Sequence, residues 1–244
     1  MPAGPSVIVV SPHLDDAALS AWARLAAGNV MVITVFTGRP PAAFTVSSWD
    51  LETGATCSHQ RMRERLAEDD RALGGLGVPT VRLGQVEFEY RSGGDADVAA
   101  IAEGLRRYLA GCGELWLPAG IGAHPDHIAA RDAGLLALMA APGLAARFYA
   151  DFPYVAEDGW PSWITTATRH GTHALVCPES TELCPLRFGD VRPTARITVL
   201  DPDERAAKTS TLRNYRSQLC ALGLTDEELA RSSRMLNYEL SWSA

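Results

Sequence analysis

The 244-residue chain is long enough for one large domain with a sizeable core, and its 47% hydrophobic and 21% charged content is ordinary for a globular protein. A net charge of −7 with no clustered Lys/Arg segment argues against nucleic acid as a partner, because phosphate binding needs neutralising charge. No window approaches the roughly 20 apolar residues of a membrane span.

"MPAGPSVIVV" lacks the charged start and the apolar length of a signal peptide. The five cysteines (Cys57, Cys112, Cys177, Cys184, Cys220) are scattered, odd in number and without C-x-x-C spacing. They suit reduced thiols, so the expectation is a cytoplasmic protein.

Short β-branched runs alternate with helical patterns, which predicts an α/β fold: a Rossmann-like, mostly parallel sheet flanked by helices. "SVIVV" (6–10) is a continuous apolar run, as expected of a strand buried on both faces. Leu19, Trp22, Leu25 and Ala26 give a helical period from Asp16 to about Gly28, a suitable C-cap. "VMVITVFTG" (30–38) predicts a second buried strand, followed by a loop of some twenty residues containing Pro40 and Pro41.

A charged helix is expected from about His59 to Leu73, ended by "GGLG", and a weaker, edge-like strand at 79–84. Val98, Ile101, Leu105 and Leu109 mark the next helix, "ELWLPAG" (114–120) a fourth strand, and 124–141 a helix with Pro125 at a tolerated position. A fifth strand lies within 146–155. Beyond Val155 the pattern changes to two strands ("THALVCP", "ARITVL") and a helix capped by Asp201 or Asp203. Residues 1–155 are therefore expected to form a Rossmann-like βα-alternating core. Residues 156–244 form a mixed α+β C-terminal lobe, packed on the core as part of one folded unit and completing the substrate pocket.

In open α/β sheets ligands bind outside the carboxyl ends of the strands. His13, Asp15 and Asp16 follow the first strand, and His124, Asp126 and His127 follow the fourth after a Gly-rich link (Gly120, Gly122). Parallel strands bring the two clusters to one edge. Imidazole and carboxylate are zinc-ligand types, and iron(II) fits the same set. Each cluster also leaves a spare group for acid–base work. From spacing alone a plainer reading stays open, in which Asp15 or Asp16 caps the following helix and His127 is an ordinary buried or surface histidine.

"SPHLDDAALS" together with "AHPDHIAARDAGLLA" resembles the paired A-H-P-D-D and H-x-D-H signature of the PIG-L/LmbE-like N-deacetylases. That family takes in N-acetylglucosaminyl-phosphatidylinositol deacetylases, the deacetylase and conjugate amidase of mycothiol metabolism, and antibiotic amino-sugar deacetylases. The similarity covers about residues 5–155, and "RLAEDDRALGGLG" (65–77) resembles a helix of many members. Leu14 in place of proline is the main departure, and Ser11 for alanine a minor one.

The resemblance implies His13, Asp16 and His127 as zinc ligands and Asp15 as general base. It implies His124 as the residue that stabilises the oxyanion or protonates the leaving amine, tuned by Asp126, and it implies Arg65 near the sugar. The implied activity is metal-dependent hydrolysis of an N-acyl (acetyl) group from a small-molecule amino sugar or its conjugate. Two alternatives are an amidase of larger acyl or thiol conjugates, and a non-catalytic metal- or sugar-binding protein.

Other residues carry weaker signals. A local alternative for Arg65 is an i,i+3 pair with Glu68. Trp49 and Tyr154 suit stacking on a sugar ring or core filling. His170 and His173 read as a surface loop, His59 as solvated, and "GGLGVP" as a helix stop without a phosphate-loop frame. Substrate choice is expected to lie in loops 39–60 and 156–195.

Overall fold

The computed structural model describes residues 5–91, 93–157, 159–166, 169–176, 193–225, 229 and 235–243. Strands β1 (Val7–Ser11), β2 (Val30–Phe36), β3 (Thr80–Gln85), β4 (Glu114–Pro118) and β5 (Ala145–Tyr149) pair in parallel in the order β3-β2-β1-β4-β5. The sheet continues through antiparallel β8 (Tyr238–Ser243), β7 (Thr194–Val199) and β6 (Gly171–Val176).

The alternation of side chains along β1 explains why both faces are covered. Ile8 and Val10 join Leu115, Leu117, Phe148 and the helices α5 (Val98–Arg106) and α6 (Pro125–Leu138) in one core. Val7 and Val9 face the other way, with Val30, Val32, Ala17, Leu25 and Leu73. The last three belong to α1 (Asp16–Ser20), α2 (Trp22–Ala26) and α4 (Ser58–Gly75). Strand β3 is at the edge, as its weaker pattern suggests.

Two expected helices are each broken, and for the same reason. The helix expected over 16–28 stops at Ser20 and restarts at Trp22, with Ala21 at φ −135°. The Ala23 amide, which a continuous helix would give to Leu19, goes to Glu239 Oε2 at 3.0 Å. Likewise the C-terminal helix divides into α8 (Pro202–Leu212) and α9 (Arg216–Leu219). There the Ser217 amide is taken by Glu68 Oε1 at 3.0 Å. Tertiary carboxylates override local periodicity at both breaks. The start of α8 is conventional: Asp201 and Glu204 form a capping box with Pro202 in the first turn.

The loop after β2 contains α3 (Ser48–Glu52), capped by Ser47, whose Oγ accepts the Asp50 amide at 3.0 Å. Buried Asp50 fastens this segment to the head of α4 by accepting from Ser58 Oγ, and from Tyr90 Oη at 3.0 Å. A further short helix, α7 (Ser162–Thr165), precedes β6. Among the described cysteines, Cys57, Cys112 and Cys220 are free, while Cys177 and Cys184 lie outside the described residues, as does much of the 156–195 loop. No described helix is long and apolar enough to cross a membrane.

Strand β8 is absent from the sequence-based expectation. Its buried positions include Glu239 and Ser241 beside Leu240 and Trp242, so polarity hides the pattern. Glu239 is satisfied on both oxygens, Oε2 by the Ala23 amide and Oε1 by the buried Lys208 Nζ at 2.7 Å. The fold otherwise agrees with the α/β expectation.

Candidate active site

Order β2-β1-β4 means that the chain leaves β1 on one side and returns to β4 on the other. The crevice at their carboxyl ends is the natural ligand position of an open α/β sheet. Both clusters reach it.

After β1, Ser11 sets the loop: its Oγ donates to the His13 carbonyl at 2.6 Å and accepts the Ala17 amide at 3.0 Å. Leu14 turns away from the crevice into a small cluster with Met62 and Tyr90, edged by Phe44, Leu66 and Val86. That apolar anchor is what the departure from proline supplies. Asp15 stands at the N-cap position of α1 but makes no capping bond through its side chain, so the capping reading of this residue does not hold.

After β4, Gly120 and Gly122 both have positive φ (+83° and +82°), which an L side chain adopts only with strain. A Cβ on Gly122 would also lie 2.6 Å from the ring of Tyr154. The turn delivers His124 as N-cap of α6 and His127 one turn later.

Asp16 Oδ2 is 3.2 Å from His13 Nδ1 and 3.3 Å from His127 Nε2, so one oxygen and two ring nitrogens converge. The outer nitrogen of each ring meets a second carboxylate: His13 Nε2 lies 3.1 Å from Asp126 Oδ2, and His127 Nδ1 2.7 Å from Asp151 Oδ1. Imidazoles backed by carboxylates are the usual outer layer of a metal site, fixing tautomer and ring angle. Burial opposes charge on both histidines, yet Asp126 and Asp16 for His13, and Asp16 and Asp151 for His127, raise both above the ordinary imidazole range. Burial also opposes charge on Asp16, but His127 and His13 hold it far below the usual carboxylate range. The pocket thus favours positive charge among nitrogen and oxygen donors, and its residues fit a divalent metal ion.

A second group of potential donors, His13, His124 and Asp126, shares one histidine with the first. Its carboxylate is already committed: Asp126 is fully buried, accepts the Phe88 amide at 2.8 Å and pairs with Arg91 Nη2 at 2.8 Å. The Asp126 carboxylate is directed at His13, and its link to the His124 ring is through the backbone, whose N–H donates to Nδ1 at 3.2 Å. Neutral His124 therefore carries its proton on Nε2. Burial, then the neighbouring His13 and His127, lower its imidazole to about 4. For Asp15, burial and then the charge of Asp16 push the carboxyl up to about 6.

His13, Asp15, Asp16, His124 and His127 all line one cavity of ≈ 210 Å³. Arg65 lines it too, paired at 2.8 Å with Glu87 and not with Glu68, which binds Ser217 instead. Trp49, tied to Gln218 Oε1 at 2.9 Å, and Tyr154, edge-on to His127 with centroids 5.6 Å apart, complete one wall. His173 is away from the cavity, in β6, and bonds the Arg169 carbonyl.

Asp151, Glu87, Glu89 and Gln218 were not singled out in the sequence. Asp151 had a usable signal, since it follows the parallel strand β5 at the same edge of the sheet.

No family model matches the chain. It is 31% identical over 173 residues to 2'-N-acetylparomamine deacetylase of Streptomyces fradiae, a match covering 62% of this chain and 58% of that protein. The chain thus spans less than two thirds of that relative's length. Among solved structures, the A40926 pseudoaglycone deacetylase Dbv21 superposes with a TM-score of 0.73 at 27% identity, covering 98% of this chain and 97% of the other. The chain is thus similar in both sequence and fold to deacetylases. A third similar protein is a triple mutant of the Orf2 deacetylase of the teicoplanin biosynthetic pathway. It has a TM-score of 0.71 at 26% identity, covering 97% and 96% of the two chains.

Proposed function

We propose that the protein hydrolyses an N-acyl group, most simply acetyl, from an amino sugar or amino-sugar conjugate. The observation that carries the reading is the convergence of His13, Asp16 and His127 beside Asp15 and His124 in one cavity. The deacetylase names of its relatives support it. His13, Asp16 and His127 are the residues that would hold the metal, with zinc the first choice for two imidazoles and a carboxylate, and iron(II) the second. Bound there, the ion supplies Lewis-acid polarisation and makes water acidic enough to ionise near neutral pH.

Asp15 is the base. It is buried against the cavity, is not one of the three ligands and has a carboxyl near pKa 6, so it takes a proton from water close to neutral pH. His124, neutral and protonated at Nε2, donates a hydrogen bond to the amide oxygen as negative charge grows there. An imidazole with a pKa near 4 is a poor reservoir of a second proton. Asp15 therefore returns the proton it took to the departing nitrogen, which leaves as a neutral amine. Asp126 and Asp151 hold the two histidine rings in place, and Arg65 with Trp49 and Tyr154 shapes the sugar subsite.

The test is amine release by zinc- and iron-loaded protein from a panel of N-acyl amino sugars and conjugates, with acetyl and longer acyl groups. Acetyl substrates should release amine, and Asp15→Asn should lower turnover by about 10²–10⁴-fold while metal content stays near one ion per chain. Full activity after chelation, or no release from any substrate, overturns the proposal.

A further inference from the structure

A second recess lies away from the reaction centre. It is a groove of ≈ 280 Å³ on the face of the sheet beside α2, larger than the ≈ 210 Å³ cavity around the candidate metal ligands. Helix α1 borders both, with Leu19 lining the cavity and Ser20 the groove. The floor comes from β4, β5, β8, β7 and β6. Their register sets Ser241 beside Arg196, and Glu239 beside Thr198, which in turn faces Thr172.

The charges of this groove do not cancel. Arg24, Arg147 and Arg196 line it together with two carboxylates, Glu114 and Glu239. Both carboxylates are spent within the protein. Glu239 takes the Ala23 amide at 3.0 Å and the Lys208 ammonium at 2.7 Å, while Glu114 takes Arg147 Nη2 at 2.9 Å and Trp116 Nε1 at 2.6 Å. Lys208 balances Glu239 and one guanidinium balances Glu114. Two of the three arginines are left over, in a chain whose net charge is −7. Their donors are left over too. Arg147 Nη1 is buried without a hydrogen-bond partner, and exposed Arg196 has no partner among the described residues. Arg24 gives Nη2 to the Gly28 carbonyl at 2.9 Å; burial lowers its pKa, and Glu114 offsets this only in part.

We propose that this groove binds a phosphate group, held by Arg24, Arg147 and Arg196. A phosphate dianion matches the two surplus positive charges, and its oxygens accept from guanidinium forks. A buried guanidinium nitrogen without an acceptor is costly, so an oxyanion against Arg147 Nη1 removes a penalty that the free protein carries. Thr172 and Thr198 share one hydroxyl hydrogen bond at 3.0 Å, which leaves the second hydroxyl proton to give, two residues along β7 from Arg196. Free phosphate and the phosphate of a larger metabolite both meet this chemistry. The site is separate from the candidate metal ligands and does not rest on the deacylation reading.

Calorimetric titration of the zinc-loaded protein tests this, with inorganic phosphate, glucose 6-phosphate and glucose as probes. Phosphate should bind saturably, and glucose should not bind. Arg196→Gln, at an exposed position, should keep the fold and weaken phosphate binding about 10- to 100-fold, the usual effect of losing a hydrogen bond to a charged group. Arg24→Gln should weaken it as well. Arg196→Lys should recover only part of the affinity, because an ammonium keeps the charge and loses the fork. Raising salt should weaken binding more in wild type than in Arg196→Gln.

Phosphate binding that Arg196→Gln and Arg24→Gln leave unchanged places the anion at the metal centre or elsewhere and overturns the proposal. So does a failure of both phosphate probes to bind. Tighter binding of glucose 6-phosphate than of free phosphate, lost in the same two variants, assigns the site to a phosphorylated metabolite, and equal binding assigns it to the free anion. None of these readings uses amine release, so failure of the deacylation reading leaves the test intact.

Discussion

Asp151 stands behind His127 with Oδ1 2.7 Å from Nδ1, while its Oδ2 accepts the amides of Gly120 and Ile121 at 2.7 and 2.8 Å. One fully buried carboxylate therefore orients both the ring and the turn that leads to it. Asp151→Asn puts an amide NH₂ against these donors. Metal affinity should fall about 10- to 100-fold, the usual cost of losing a carboxylate behind a ligating histidine. Chelator competition measures this, and an unchanged affinity would contradict the assigned positioning role.

Leu14 predicts a stability effect near the site without touching its chemistry. Its side chain is 2% exposed and packs on Met62 and Tyr90. Leu14→Ala should cost about 2–5 kcal/mol, and Leu14→Met less than about 1.5 kcal/mol. Urea unfolding of the two variants tests the ordering. Equal losses would mean that the anchor is not a packed contact.

Gly122→Ala meets two separate obstacles. The backbone sits at φ +82°, and the new methyl would approach Tyr154 to 2.6 Å. The left-handed backbone alone should cost about 1–2 kcal/mol, with the ring clash added to it. Tyr154→Ala in the same chain should recover the clash and leave the backbone cost, so the two substitutions should be non-additive. Simple addition of the two losses would remove the Gly122–Tyr154 contact from the account.

Asp69 links stability to pH. It is a fully buried residue of α4, 3.1 Å from both Arg82 Nη2 and Tyr215 Oη. Burial outweighs these partners and pushes its carboxyl up to about 6. The folded chain therefore holds this proton more tightly than the unfolded one, whose carboxyl titrates near about 4. The resulting stabilisation is full below pH ~4 and is lost as pH rises through ~6, on the order of 3 kcal/mol in total. Relative to wild type, Asp69→Asn should gain stability from pH 4 to 7 and level off above. Urea midpoints across that range decide it, and a flat difference would refute the shift.

The parts legible in the sequence share one property: they repeat a local rule. Consecutive apolar residues mark the buried strands, and the placement of His13, Asp15, Asp16, His124 and His127 after parallel strands puts them at one edge of the sheet. What stayed hidden depends on partners far along the chain. The local alternative for Arg65 is a pair with Glu68 three residues away, whereas its partner is Glu87, just beyond the end of β3. The breaks at Ala21 and before Arg216 come from Glu239 and Glu68, which no helical period registers. The place of Asp151 after β5 marks it as a candidate at the same edge, but only its contact with the His127 ring tells what it does there.

The position of β8 bears on how the protein is made. Residues 238–243 follow β6 and β7 in sequence yet lie between them and β5. During synthesis, the parallel strands and both halves of the metal centre leave the ribosome with their neighbours already available. The β6–β7 hairpin has no seam to join until the 238–243 stretch is translated, so a nascent chain released before it would expose the edge of β5.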